Sequence, residues 1–138
     1  MHVIIGGAHN GKRDYVKKLM VGKEYYWLDF SVEDSPFDAI PNEPTRHTVV
    51  IEHIESWLTT TNLSEETSIQ KIVEAVEGRD VIFILTDIGR GIVPMDALQR
   101  ALRDACGRLY QQLIAQADEV TRIWYGLPQT LKKRGEIG

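Results

Sequence analysis

The chain opens Met1-His2-Val3-Ile4-Ile5-Gly6-Gly7-Ala8-His9-Asn10-Gly11-Lys12-Arg13. A short apolar run stops at paired glycines, and a third glycine precedes a lysine. This reads as a buried strand, a tight turn and the start of a helix. Gly6, Gly11 and Lys12 fit the spacing G-x-x-x-x-G-K-[ST] of a phosphate-binding loop, with Arg13 where a serine or threonine belongs. Glycines in such a loop permit positive φ and a close approach of the backbone to an anion. Successive N–H groups then form an anion nest, and the following helix adds the positive end of its dipole. The expected phosphate-binding segment is therefore Gly6, Gly7, Ala8, His9, Asn10, Gly11, Lys12 and Arg13. Within it Lys12 serves as a mobile charge on the β- and γ-phosphates. The missing hydroxyl is the group that would ligate Mg²⁺ beside those phosphates. A guanidinium offers donors only, so the loop is expected to hold phosphate and to be compromised toward metal.

Outward from that loop, strands and helices alternate. Residues 2–5 read as a first, central strand, and a helix runs from about Lys12 to Met20, where Tyr15, Val16 and Leu19 make its apolar stripe. Tyr25-Tyr26-Trp27-Leu28 reads as a second strand. Residues 29–47 carry Pro36, Pro41 and Pro44, which are expected to break any regular element, leaving a long loop. Thr48-Val49-Val50-Ile51 is the third strand, followed by a short helical stretch around His53–Leu58. Ser64 or Asn62 caps a helix built on Ile69, Ile72, Val73 and Val76. The continuously apolar Val81–Thr86 is the clearest strand, suited to cover on both faces. Pro94 leads into a long helix containing Leu98, Ala101, Leu102, Ala105, Leu109 and Leu113. Val120–Tyr125 reads as a last strand, and the basic Lys132-Lys133-Arg134 as frayed tail. The order predicts an α/β fold of the phosphate-loop NTPase type: a mostly parallel sheet with helices on both faces, in one nucleotide-binding domain over residues 1–138.

In open parallel sheets ligands bind beyond the carboxyl ends of the strands. The Gly6–Lys12 loop, Glu52 and Asp87 all fall at such ends. Glu52 is expected to hold Mg²⁺, its alternative being a strand-end carboxylate paired with a neighbouring base. Asp87 is expected to position an attacking hydroxyl, as carboxylates do in phosphoryl transfer. Lys12 and Asp87 are thus the candidate catalytic residues, and Glu52 the candidate metal ligand. His2, His9, His47 and His53 have no zinc-ligand spacing. Trp27, Trp57 and Trp124 are read as core rather than base-stacking residues, and Arg100, Arg103, Asp104 and Arg108 either as a solvated charge ladder on one helix or as guanidiniums presented to anions or another subunit.

Composition narrows the class. The chain has 138 residues, 43% hydrophobic and 26% charged, with a net charge of −4. That acidity gives no electrostatic footprint for nucleic acid. No apolar run approaches the ~20 residues of a membrane span, and the opening apolar run is too short for a signal peptide. Cys106, the single cysteine, excludes an intramolecular disulfide and is read as a small buried apolar residue. A cytoplasmic location is expected.

The stretch Asp87-Ile88-Gly89-Arg90-Gly91-Ile92-Val93-Pro94, together with the opening loop, resembles the bifunctional adenosylcobinamide kinase / adenosylcobinamide-phosphate guanylyltransferase family. The likeness continues through Arg100, Leu102-Arg103-Asp104, Gly107-Arg108, Gln111, Ala117-Asp118-Glu119-Val120, Gly126-Leu127-Pro128 and Leu131-Lys132. Val50-Ile51-Glu52 with Trp57-Leu58-Thr59 is similar to the family's middle acidic strand. The resemblance implies a homotrimer that phosphorylates adenosylcobinamide with ATP or GTP. It also implies transfer of GMP from GTP through a guanylyl-histidine. It carries the loop roles onto Gly6, Gly7, Gly11 and Lys12, and the acidic roles onto Glu52 and Asp87. Three departures accompany it: Arg13 at the loop hydroxyl, Tyr110 at an asparagine, and no helix in residues 29–47 to carry the nucleophilic histidine. His47 is therefore not assigned that role.

Two readings follow. One is a shortened family member that binds a purine nucleotide and keeps phosphoryl transfer rather than guanylyl transfer. The other is a degenerate, non-catalytic paralogue serving as a nucleotide-sensing or assembly subunit. A guanidinium of Arg13 in the metal position would favour the second.

Overall fold

The structure is a computed structural model that describes residues 1–7, 11–32, 36–40, 47–87 and 96–133. Expectations for Ala8, His9 and Asn10, for the Gly89-Arg90-Gly91 loop and Pro94, and for Arg134 lie outside those residues. The elements run β1 (His2–Gly6), α1 (Lys12–Leu19), β2 (Tyr25–Asp29), a 3₁₀ turn (Pro36–Ala39), β3 (Thr48–Glu52), α2 (Ile54–Thr60) and α3 (Glu65–Val76). They continue with β4 (Val81–Thr86), α4 (Ala97–Gln116), β5 (Glu119–Trp124) and β6 (Leu127–Lys133).

The strands form one sheet in the order β2-β3-β4-β1-β5-β6. All neighbours are parallel except β5 and β6, which are antiparallel. The expected mostly parallel α/β fold with helices on both faces is what the chain adopts. Period-two alternation splits the apolar strand residues between two cores. Val3, Val49, Ile51, Phe83, Leu85 and Val120 face one way and pack with Ile54, Leu58, Ile72, Val76, Leu109 and Leu113 of α2, α3 and α4. Ile4, Val50, Ile82, Ile84 and Ile123 face the other way and pack with Val16 of α1 and Met20 just after it. Both cores need β1, which is paired on both edges and has Val3 and Ile4 fully buried.

The helix boundaries follow local chemistry. Ser64 caps α3, its hydroxyl accepting the Thr67 N–H. Asp96 caps α4 in a reciprocal capping box with Gln99. Arg108 of α4 forks onto Glu65 of α3 at 2.7 and 2.6 Å, so the expected ladder along α4 gives way to a cross-helix pair. Cys106 is buried as expected, and burial pushes its thiol up to about 11.

Two expectations about the chain ends of elements are corrected. Lys132 and Lys133 are not frayed tail but belong to β6. That strand gains nothing from burial, being exposed throughout. Its ladder with β5 holds it, and Lys132 Nζ donates to the Ile114 and Ala115 carbonyls at the end of α4, where a cation is favoured. Pro36 opens a 3₁₀ turn rather than only breaking structure, because its fixed φ suits a first helical position. Trp124 also departs from the core expectation, at 52% exposed.

Gly6 is required at the end of β1. A Cβ built there would lie 2.7 Å from the Ile123 carbonyl oxygen, a backbone atom that cannot swing away. Gly107, in contrast, has nothing within 4 Å of such a Cβ and sits inside α4. Gly6→Ala is therefore expected to destabilise the protein by about 1–3 kcal/mol through forced backbone displacement. Gly107→Ala is expected to stabilise it by about 0.5–1 kcal/mol through helix propensity. Urea unfolding of the two variants checks both signs; equal effects would contradict the close approach at Gly6.

Candidate functional site at the carboxyl edge of the sheet

The parallel register brings the strand ends together. Asp29 and Glu52 are opposite each other at the ends of β2 and β3. Gly6, at the end of β1, pairs with Thr86 of β4 and Ile123 of β5. Asp87 follows directly, its N–H donating to the Gly6 carbonyl at 2.8 Å. Gly11 then starts α1 with a left-handed φ of +82°, a conformation that suits glycine. The described part of the loop thus has the strand–glycine–helix build expected for it, with Glu52 and Asp87 on the same edge.

Lys12 is the first residue of α1 and is only 7% exposed. Its Nζ donates to the Gly6 carbonyl at 3.2 Å and to the Gly7 carbonyl. Burial draws its pKa below the usual lysine value, opposed by the carboxylates of Glu55, Asp87 and Glu52 in that order. A lysine held at the loop mouth among three carboxylates is a point charge waiting at one place rather than a solvated surface group.

Glu52 is 2% exposed. Its Oε1 accepts the Trp27 indole N–H at 2.9 Å and lies 3.3 Å from Arg13 Nε. The Arg13 guanidinium also sits 5.5 Å from the centre of the Trp27 ring. Arg13, Trp27 and Glu52 therefore form one packed unit in which the buried carboxylate is satisfied by a hydrogen bond and a cation. The strand-end pairing weighed for Glu52 is the arrangement seen.

The ligand atoms of Asp29, Glu52 and His53 lie within 4.8 Å of one another. They do not suit Mg²⁺. His53 Nδ1 and Asp29 Oδ1 already meet at 2.8 Å, and the same Asp29 oxygen accepts the Ser31 N–H at 2.9 Å. Glu52 Oε1 is taken by Arg13 and Trp27, and Mg²⁺ prefers oxygen ligands and water over imidazole. Burial would raise the Asp29 carboxyl, but hydrogen bonds from Ser31 and then His53 outweigh it and hold the group below its usual value. His53 adopts φ +60°, so the residue after β3 is bent into a strained turn that brings its ring to Asp29.

Two acidic groups at this edge escaped the sequence reading. Asp29 was legible only through its register with Glu52. Glu55, near the start of α2, has a buried Oε2 without a hydrogen-bond partner. Burial raises its carboxyl above the usual value, opposed by its own N–H, His53 and Lys12. Beyond Lys12, Asp87 borders an open cleft of about 550 Å³ with Arg103, Arg108, Tyr110 and Gln111. Tyr110 OH donates to the Thr86 carbonyl at 3.0 Å, and burial pushes its phenol well above the ordinary value. Tyr110 thus braces the end of β4 beside Asp87.

Fold and edge together define a mostly parallel α/β protein with a glycine loop between its first strand and first helix. Residues 24–131 match the family model for cobinamide kinase / cobinamide phosphate guanyltransferase, and the chain belongs to that family. Over 52 residues it is 40% identical to the bifunctional adenosylcobalamin biosynthesis protein CobU of Salmonella typhimurium, a stretch that is 38% of this chain and 29% of the relative. The Escherichia coli protein of the same name matches equally, at 40% over 52 residues, again 38% and 29% of the two chains. The matched stretch therefore spans less than a third of these relatives. Among solved structures, the flagellar accessory protein FlaH from Methanocaldococcus jannaschii superposes with a TM-score of 0.49 at 10% identity, covering 96% of this chain and 78% of that one. Among the described residues no helix is long and apolar enough to cross a membrane.

The site geometry makes two stability predictions. Arg13→Ala leaves the Glu52 carboxylate without its cation and is expected to cost about 1 kcal/mol, less than for a fully buried pair because Arg13 is 59% exposed. Adding Glu52→Gln should recover most of that loss, and additive losses in the double-mutant cycle would contradict the coupling. For Glu55 the folded pKa is raised, so its contribution is fully present below the unfolded value near 4.3 and is lost as pH rises through the folded value. Glu55→Gln should therefore be more stable relative to wild type at pH 8 than at pH 4.5 in urea unfolding. A pH-independent difference would contradict a carboxyl whose pKa burial raises.

Proposed function

We propose that this chain is a purine-nucleotide-binding protein of cobalamin biosynthesis, whose loop at Gly6, Gly7, Ala8, His9, Asn10, Gly11, Lys12 and Arg13 takes the phosphates of GTP or ATP. The observation that carries this is the position of Lys12. It is buried at the mouth of a glycine loop, on the carboxyl edge, with Asp87 alongside. Family membership supports adenosylcobinamide as the proposed phosphate acceptor. Phosphoryl transfer is the activity proposed to remain. It relies on positioning and on charge placed around the transferred group, which Lys12 and Asp87 are built to supply. Lys12 steadies the phosphates, and Asp87 orients the attacking hydroxyl and accepts its proton. Guanylyl transfer would need a nucleophile at a defined place. His47, the histidine of the 29–47 segment, instead faces Glu24 and the ring of Tyr26.

A second reading rests on the Arg13–Glu52 pair. A guanidinium turned onto the family's acidic position favours a non-catalytic paralogue that binds nucleotide without Mg²⁺ and acts as a sensor or assembly subunit. A cytoplasmic setting and a single domain over residues 1–138, from composition and length, and a homotrimer, from family likeness, remain parts of the proposal.

Calorimetric titration with GTP and ATP, with and without Mg²⁺, alongside a phosphoryl-transfer assay on adenosylcobinamide, separates these readings. Nucleotide binding with turnover supports the first. Binding indifferent to Mg²⁺ without turnover supports the second. Arg13→Ser is expected to make binding Mg²⁺-dependent, and Lys12→Ala to weaken it by about tenfold or more through loss of a charge-assisted phosphate contact. No binding by the wild-type protein would refute both.

A further inference from the structure

The hairpin joining β5 and β6 carries features that the phosphate loop leaves unexplained. Trp124 pairs with Leu127, so Tyr125 and Gly126 alone make the turn. Both are left-handed, with φ of +48° and +76°. Two-residue turns of this kind favour Asn-Gly, because other side chains resist positive φ at the first position. An aromatic residue at position 125 is held there against that preference, and burial offers no compensation, since Tyr125 is 81% exposed. Beside it Trp124 is 52% exposed, and the two rings meet edge to face at 5.4 Å and 81°. The Arg122 guanidinium lies 4.8 Å from the centre of the Trp124 ring.

This aromatic tip stands against the phosphate loop. A Cβ on Gly11 would lie 3.7 Å from the Gly126 Cα, so the turn passes one side chain's width from the start of α1. Next to that approach lies a cavity of about 310 Å³ lined by Gly6, Gly7, Asp87, Arg122, Ile123 and Trp124, among others. One wall is the glycine backbone of the loop and another is an indole backed by a cation. The volume falls in the range of small-molecule sites, and the mixture of apolar wall and few polar groups is what a heterocycle requires.

We propose that Arg122, Trp124 and Tyr125 form the base subsite of this nucleotide site, receiving the purine ring while the phosphates rest on the loop. The proposal builds on the phosphate-binding reading above and adds where the base goes. The indole supplies a stacking face, which any purine can use. Arg122 adds a cation to the stack and N–H donors for acceptor atoms on the ring edge. Tyr125 extends the platform through its edge-to-face contact with the indole, and its left-handed backbone holds the ring at the tip.

The test is calorimetric titration of the 138-residue protein with GTP, ATP and inorganic tripolyphosphate, in wild type, Trp124→Ala and Tyr125→Asn. Trp124→Ala is expected to weaken both nucleotides by about tenfold or more and to leave tripolyphosphate unchanged. Tyr125→Asn relieves the turn, so it should weaken nucleotide while keeping or raising the melting temperature, a combination that a merely structural residue would not give. Unchanged nucleotide affinity in Trp124→Ala overturns the subsite. So does an equal loss of tripolyphosphate, which would mean that the hairpin acts on the phosphates and not on the base. A wild-type protein that binds neither tripolyphosphate nor nucleotide removes the phosphate reading itself, and with it the subsite.

Discussion

The end of β1 approaches β5 so closely that only a hydrogen atom fits between Gly6 and the Ile123 carbonyl. From that contact the rest of the edge is placed. Gly6 accepts the Asp87 N–H through its carbonyl, and the same carbonyl takes the Lys12 ammonium. The strand that ends there is paired on both sides and contributes to both cores, so the loop is mounted on a constrained interior strand of the sheet. Anion sites gain from such mounting because the donors need not be ordered when the ligand arrives.

Electrostatics at the edge are organised by what Arg13 does. A buried glutamate beside a phosphate site ordinarily needs a metal or another cation to be tolerable. Here the cation is built into the chain: Arg13 reaches back along α1, lies against Trp27 and meets Glu52. Glu52 Oε1 thereby carries both a hydrogen bond and a cation. Among the described residues, the buried carboxylate oxygen without a hydrogen-bond partner is Glu55 Oε2, one turn further along, and Glu55 is the first of the carboxylates acting on Lys12. The charge pattern of the site has thus moved by a few residues from the arrangement that the loop spacing implied.

Much of this was legible in the residues. The apolar runs Val3-Ile4-Ile5 and Val81–Leu85 could only be buried strands, and Gly11-Lys12 announced the helix start. Strand ends placed Glu52 and Asp87 on one edge before any coordinates. The rest lay beyond sequence pattern for physical reasons. Strand β6 has no apolar alternation to report, since its stability comes from the backbone ladder and from Lys132 at the end of α4. Pro128 inside it points away from a strand, yet an edge strand tolerates proline where no ladder bond is needed. Asp29 and His53 meet only because two strands end in register and one residue takes a left-handed turn. Trp124 looked like core because tryptophan usually is, and its exposure is set by the hairpin beyond it.

The central claim is that the Arg13 guanidinium, and not a divalent ion, neutralises Glu52 at the proposed nucleotide site. A crystal structure of the protein grown with GTP and Mn²⁺, with anomalous diffraction recorded for manganese, tests it most directly. The account predicts Arg13 Nε still on Glu52 and no manganese between that carboxylate and the phosphates. A manganese peak at Glu52 with Arg13 swung away would contradict it.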